Sequence, residues 1–383
     1  MKYNFDEIVD RRGTNCVKWD ESPTADVIPM WVADMDFRVA PAIQRAIEQR
    51  VAHGVFGYTI VGDEYYEAIQ SWFSRRHQWN IAREHILYTT GVVPAISCAL
   101  KALTMPGEKV LVLTPVYNCF FSSIRNSGCE VLASELVSEE AHFSLDWADF
   151  EAKCADEKTT VFLLCNPHNP VGRVWTKEEL ERMNDICLRH GVKVVSDEIH
   201  CELIMPGYRF QPFASVSDAC RDNCVVLNSP SKSFNIAGLQ IANIVCSNAA
   251  WRRRIDRAIN INEVCDVNPF GPVALVAAYN ESEDWLDELC HYLKANYDAL
   301  CDFFAAELPQ LPVTVLEGTY LVWVDIRPLG ISSNELAERL LSEGHVWVNA
   351  GTMYGQDGYL RINIACPRSQ LMEGLRRIKQ VVG

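Results

Sequence analysis

Short apolar runs recur along most of the chain, each closed by Gly, Pro or a polar residue, and between them apolar residues fall three and four apart. The runs Ile86–Thr90, Lys109–Thr114, Thr160–Cys165, Val192–Ser196, Cys224–Leu227 and Ile241–Cys246 read as buried strands. Helical spacing is seen over Pro41–His53 and from the Gly91 turn to about Leu103. Asp63 reads as the N-cap of a helix through Trp72, and Asp146 as the cap of one through Cys154. Thr176 with Glu179 forms a capping box for a helix through His190. Near-continuous apolar strands alternating with helices predict an α/β fold whose central, mostly parallel sheet is covered on both faces.

Two stretches depart from this pattern. Residues 1–40 show little periodicity and read as an arm, contributing to a smaller domain and to a substrate site. Within it, Pro29–Phe37 is either a strand packed on the core or a lining of the substrate site, because two Asp beside Trp31 are unusual in a plain strand. After Pro269-Phe-Gly-Pro272 the pattern changes to a long helix following Ser282 and strands at Val313–Leu316 and Tyr320–Ile326. A Ser332/Glu335-capped helix, strands near Val346 and Tyr359, and a C-terminal helix follow. The expected division is an arm over 1–40, a large domain over 41–275 and a smaller α+β domain over 276–383.

Charge and cysteine content narrow the class. A net charge of −15 argues against nucleic acid or an anionic membrane as the main partner. The 15 Cys include no C-x-x-C pair and no zinc-type spacing, and many sit in apolar contexts, as Cys98, Cys165 and Cys246 do. They read as reduced thiols suited to the cytoplasm. The start, MKYNFDEIVDRRG, has no apolar signal core, and no run approaches the ~18 apolar residues of a membrane span.

The chemistry concentrates at strand ends. Cys224–Leu227 runs into Asn228-Ser-Pro-Ser-Lys-Ser, which places Lys232 where α/β proteins put their sites. Taken alone, Lys232 reads better as a solvated lysine in a polar turn. Its company changes that: Tyr117, Asn169 and Asp197 end neighbouring strands, and Gly91 precedes a helix N-terminus. Together they suit pyridoxal 5'-phosphate (PLP). A desolvated amine, Lys232, can form a Schiff base with its aldehyde. Asp197 can keep its ring nitrogen protonated, Tyr117 can stack on the ring, and Asn169 can donate to the phenolic oxygen. Gly91, Val92, Val93, Ser229 and Ser231 offer N–H groups and hydroxyls for the phosphate.

These residues carry a resemblance over essentially the whole chain. The pieces Arg11-Arg-Gly-Thr-Asn, Pro29-Met-Trp-Val-Ala-Asp-Met-Asp-Phe37, Asn166-Pro-His-Asn-Pro-Val-Gly-Arg173, Ser196-Asp-Glu-Ile-His200, Ser229-Pro-Ser-Lys-Ser-Phe-Asn-Ile-Ala-Gly-Leu239 and Tyr359-Leu-Arg-Ile-Asn-Ile364 resemble a fold-type I PLP enzyme of the class I/II aminotransferase superfamily. Within it they are most similar to the cystathionine β-lyase (C–S lyase) branch, the MalY/PatB family. The resemblance implies that Lys232 holds the cofactor and then moves the α-proton, and that Arg361 and the Ala33 segment bind the substrate. It also implies a homodimer in which Tyr58 reaches the neighbouring subunit's phosphate; the alternative for Tyr58 is an aromatic loop packed at home. Two departures from the wider superfamily stand out. Gln240 occupies a position where many aminotransferases have a phosphate-binding Arg, and His200 one where many have a Tyr near the phenolic oxygen. The implied activity is β-elimination from L-cystathionine or a related cysteine S-conjugate. Transamination, or a regulatory binding role on the same scaffold, is the rival.

Overall fold

The computed structural model describes residues 2–262 and 266–383. Its largest sheet has seven strands: β1 (Ile86–Thr89), β2 (Lys109–Thr114), β3 (Glu130–Glu135), β4 (Thr159–Cys165), β5 (Lys193–Asp197), β6 (Cys224–Asn228) and β7 (Ala242–Val245). They lie in the order β1-β7-β6-β5-β4-β2-β3. Only β7 runs against its neighbours; the other pairs are parallel.

The apolar runs arise from burial on two sides. Leu111, Leu113, Phe162, Leu164, Val194 and Val226 face one core. Val110, Val112, Val161, Leu163, Val195 and Leu227 face the other, against the helix Val92–Leu103. Successive strand residues point to opposite faces, so a strand covered on both sides has no polar position to spare. Truncating Leu163 or Leu164, both fully buried, opens a cavity on one face and costs about 2–5 kcal/mol.

Helix starts use the expected caps. The Thr176 side chain accepts from Glu179 N–H and the Glu179 carboxylate accepts from Thr176 N–H, closing the capping box. Asp146 accepts from the N–H groups of Ala148 and Asp149. Asp63 is a correction: it is the first helical residue after Gly62, its carboxylate pairs with Arg83 at 2.6 Å, and the helix runs on to His77. The apolar Trp72 and Phe73 continue the buried face past the expected end.

A second sheet orders β8 (Leu321–Asp325), β9 (Asn349–Ala350) and β10 (Tyr359–Asn363) as β8-β10-β9, all antiparallel. Val313–Leu316 is not a strand. Val313 makes a single bridge to Val324, while Thr314 O and Leu316 N–H are taken up by the Tyr297 hydroxyl.

The arm joins this region through Ile28–Pro29, which pairs in parallel with Val346–Trp347. A buried ion cluster then fixes the arm around Asp34 and Asp36. Lys18 Nζ lies 2.8 Å from Asp36, and Arg11 reaches Asp34 at 2.7 Å and Asp36 at 2.8 Å. Two cations against two carboxylates leave the cluster neutral, which is what permits burial. Among the described residues, no helix is long and apolar enough to cross a membrane.

Candidate active site

Parallel strands bring their C-terminal ends to one edge, and the loops leaving that edge carry the candidate groups. Tyr117 comes after β2, Asn169 after β4 and Lys232 after β6, while Asp197 ends β5. Cys165, Asp197 and Leu227 stand side by side in register, so the loops they feed are neighbours.

Burial sets the charges at this edge. Lys232 is pushed down to about 8 by desolvation and the nearby Arg361 charge, against the pull of Asp34 and Asp197. Desolvation pushes Asp197 up to about 7, and the only hydrogen bond its carboxyl makes among the described residues comes from Ile199 N–H at 3.1 Å. His200 is driven down to about 3 by burial and by the positive Lys232 and Arg361, and its buried Nδ1 has no partner. Tyr117 is hydrogen-bonded to Cys119, and burial keeps its phenol protonated. Arg361 donates through Nη1 to Asn169 Oδ1 at 3.2 Å and through Nη2 to Trp31 O at 2.7 Å, while its buried Nε has no partner.

The segment after Pro29 lines this site rather than forming a strand through it. Nearly every carbonyl it carries is held by a side chain. Lys232 Nζ donates to Ala33 O at 2.6 Å, and Tyr320 Oη to the same oxygen at 2.9 Å. Asn363 Nδ2 donates to Val32 O at 2.6 Å and to Asp34 O at 2.7 Å. Asn235 accepts from Met35 N–H and donates to Met35 O and Phe37 O.

At the same sheet edge, after β1, Gly91 is extended and Val92 begins a helix whose first N–H groups have no intrahelical acceptor. A Cβ on Gly91 would lie 3.3 Å from Pro94 Cδ, a tight fit. The Ser229 hydroxyl is committed: it donates to Ile241 O at 2.6 Å and accepts from Ser231 N–H at 3.0 Å. Ser229 therefore shapes the loop, and Ser231 is the hydroxyl left for a ligand. Gln240 is an exposed left-handed residue. Tyr58 is 99% exposed, whereas its neighbour Phe56 packs on Phe270 at 5.6 Å.

This set fits PLP on its own chemistry. A buried carboxyl with a single backbone donor, an amine of lowered basicity, an unpartnered imidazole nitrogen and a free helix N-terminus match a pyridinium, an aldehyde, a phenolic oxygen and a phosphate. A surface cavity of about 560 Å³ beside Arg76 and Glu202 shares no residue with the set, and Arg76 there is paired to Glu202, Glu283 and Asp287.

The family model for aminotransferase class I and II matches residues 25–378. The chain belongs to this family. It is 41% identical to cystathionine β-lyase PatB of Bacillus subtilis over 98% of this chain and 99% of that one. It is 36% identical to protein MalY of Escherichia coli, with 97% of each chain covered. The crystal structure of cystalysin from Treponema denticola, which contains a pyridoxal 5'-phosphate cofactor, superposes with a TM-score of 0.96 at 34% identity, covering 100% of this chain and 99% of that one. The fold expected of a class I/II member and the resemblance to the MalY/PatB branch are both borne out.

Sequence reasoning passed over several residues of this edge. Cys119, Tyr320, Asn235 and Asn363 all touch the groups that make up the site or its lining. Asn235 and Asn363 lie inside the motifs that carry the family resemblance. A lone Asn in an apolar run is the available signal, since a buried amide must find partners.

Proposed function

We propose that the protein is a PLP-dependent C–S β-lyase. It would release a thiol, pyruvate and ammonia from an L-cysteine S-conjugate, with L-cystathionine, which gives homocysteine, as leading substrate. One observation carries the reading: a buried lysine amine of lowered basicity and a buried carboxyl of raised pKa lie within each other's field without pairing, in a chain 41% identical to a cystathionine β-lyase.

Bound PLP supplies the electron sink that makes the α-proton acidic. The chain's own groups do the rest. Asp197 holds the pyridine nitrogen in its protonated form, for which a buried carboxylate is the best partner. Asn169 and His200 would serve the phenolic oxygen, and Tyr117 would stack on the ring. Gly91, Val92, Val93 and Ser231 hold the phosphate, with Ser229 keeping Ser231 in place. Arg361 grips the α-carboxylate as a planar two-pronged donor, which lysine would not reproduce. Lys232 would hold the cofactor aldehyde and, as a free amine, would take the α-proton at Nζ. An amine titrating near 8 is largely neutral at mildly alkaline pH, as a base must be.

Tyr58, exposed on its own chain, would serve a second copy's phosphate, so the working unit is a homodimer. Residues 41–275 and 276–383 would be its large and small domains, and the many reduced thiols suit the cytoplasm. The test is a pyruvate assay with PLP and L-cystathionine and no 2-oxo acid, beside Lys232→Ala. Multi-turnover pyruvate lost in the variant supports the lyase. A single turnover that resumes only with a 2-oxo acid makes the protein an aminotransferase instead.

A further inference from the structure

Arg361 lies in a closed ring of contacts that includes two residues with no role so far. The centre of its guanidinium is 4.7 Å from the centroid of the Tyr354 ring. The Tyr354 hydroxyl accepts from Asn349 Nδ2 at 2.9 Å. That same nitrogen donates to Trp31 O at 3.0 Å, and Trp31 O also receives Arg361 Nη2 at 2.7 Å. The circuit runs Arg361, Trp31 O, Asn349, Tyr354 and back to Arg361. Its members are fixed by the fold. Asn349 and Arg361 are register partners on β9 and β10, and Tyr354, Arg361 and Asn349 are 1%, 3% and 6% exposed. The Trp31 ring is in turn stacked on Trp347 at 4.1 Å and 12°.

Such a circuit controls orientation. Backbone and amide oxygens hold the two terminal nitrogens of Arg361 but leave rotation about the line joining them open. An aromatic ring under the guanidinium removes that freedom, because the cation is attracted to the ring face. Tyr354 is itself held by the Asn349 bond to its hydroxyl. The buried, unpartnered Nε then marks the edge of the guanidinium that the chain leaves unfilled.

We infer that Tyr354, held by Asn349, is a positioning residue that sets the plane of Arg361. It thereby makes the site selective for substrates with a planar α-carboxylate over those with a carboxamide or no group there. The inference rests on Arg361 being the carboxylate grip.

The test uses the PLP-loaded protein and a readout that needs no elimination. L-Alanine binding is tracked by the visible absorbance of the cofactor. In parallel, KM and kcat are measured for an L-cysteine S-conjugate and its carboxamide. Tyr354→Leu is expected to weaken L-alanine binding and raise KM about tenfold, with kcat within about threefold and a reduced preference for the carboxylate over the carboxamide. Tyr354→Phe, which keeps the ring, should recover most of the loss. Unchanged L-alanine binding in Tyr354→Leu, with binding weakened in Arg361→Lys, overturns the inference. Unchanged binding in both variants overturns the Arg361 assignment and the inference with it. Should Tyr354→Leu fail to fold, Asn349→Ser must weaken L-alanine binding about threefold or more, and no change there also overturns it. If no variant and no wild-type protein releases pyruvate, yet L-alanine binding still weakens in Tyr354→Leu, the positioning role stands and the lyase reading falls.

Discussion

Lys232 Nζ donates to the carbonyl oxygen of Ala33 at 2.6 Å, across 199 residues of chain. The amine expected to do the chemistry is therefore held by the arm expected to line the substrate site. Removing the amine tests both. Lys232→Ala should lower pyruvate release by at least about a hundredfold to ten-thousandfold, the usual range for losing a positioned base. The visible absorbance of lysine-bound cofactor should vanish with it. Residual activity above about one per cent, the lower end of that range, would require another base.

In cofactor-free protein Asp197 contributes stability that is lost as pH rises from about 4 to 7, while His200 and His168, lowered from 6.5 to about 3 and about 4, oppose that slope below about 6.5. Asp197 is raised from 3.8 to about 7 in the fold, so between those values the native state binds a proton that the unfolded chain has released. That contribution is then fully present below about 4 and is lost as pH rises through 7. Glu198, raised to about 8 by burial, adds to the same slope. Thermal melts of cofactor-free protein at about pH 6.5 and pH 8, above the range in which the two histidines oppose the slope, should show the drop. Asp197→Asn should shrink it without abolishing it.

Asn235→Ala removes three bonds to the arm and strands Met35 N–H and Phe37 O, while Met35 O keeps its bond from Arg11 Nη1 at 3.0 Å. Unpaired buried polar groups cost about 1–3 kcal/mol each, so a loss of about 2–4 kcal/mol in urea unfolding is expected. KM should rise as well, because the freed segment includes Ala33. A stability loss with unchanged KM would place Ala33 outside the substrate site.

The Lys18–Asp36 pair is nearly solvent-free, with side-chain exposures of 1% and 2%. Breaking one side of a buried pair costs about 3–5 kcal/mol, mostly from the charge left behind. Lys18→Met should show this in denaturant melts, with little dependence on salt. Arg11, still 2.8 Å from Asp36, should keep the loss near the lower figure.

Tyr58→Phe should weaken PLP binding severalfold while leaving the melting temperature of cofactor-free protein unchanged, since the side chain is 99% exposed on its own chain. Equilibrium dialysis of PLP against both proteins measures it. Unaltered affinity would remove Tyr58 from the cofactor site.

The large sheet was legible because its strands are apolar on both faces, a signal that survives without any partner information. Tyr117, Asn169, Asp197 and Lys232 were legible because each stands at the break between such a run and a polar turn. The edge strand Glu130–Glu135 was not, because its burial is partial and its ends are charged. The hairpin Val137–Glu139 with His142–Ser144 is too short for a period to show. The arm was illegible as structure for a different reason. Its conformation is set by Asn235, Asn363, Tyr320 and Lys232, all of them distant in sequence, and local spacing carries none of that.

The direction of β7 has a mechanical consequence. Because β7 runs antiparallel to β6, the chain leaving β6 at Asn228 returns to the same edge by Ile241, and the Ser229 hydroxyl ties the two feet together through Ile241 O at 2.6 Å. The loops after the parallel strands lead away from the edge and have no second strand foot beside the first. The stretch bearing Lys232 is instead an arch with both feet clamped. Its length is fixed by the strands at either foot. Inserted residues there would lift the lysine off the sheet edge, whereas the same insertion in a one-footed loop could be absorbed by slack.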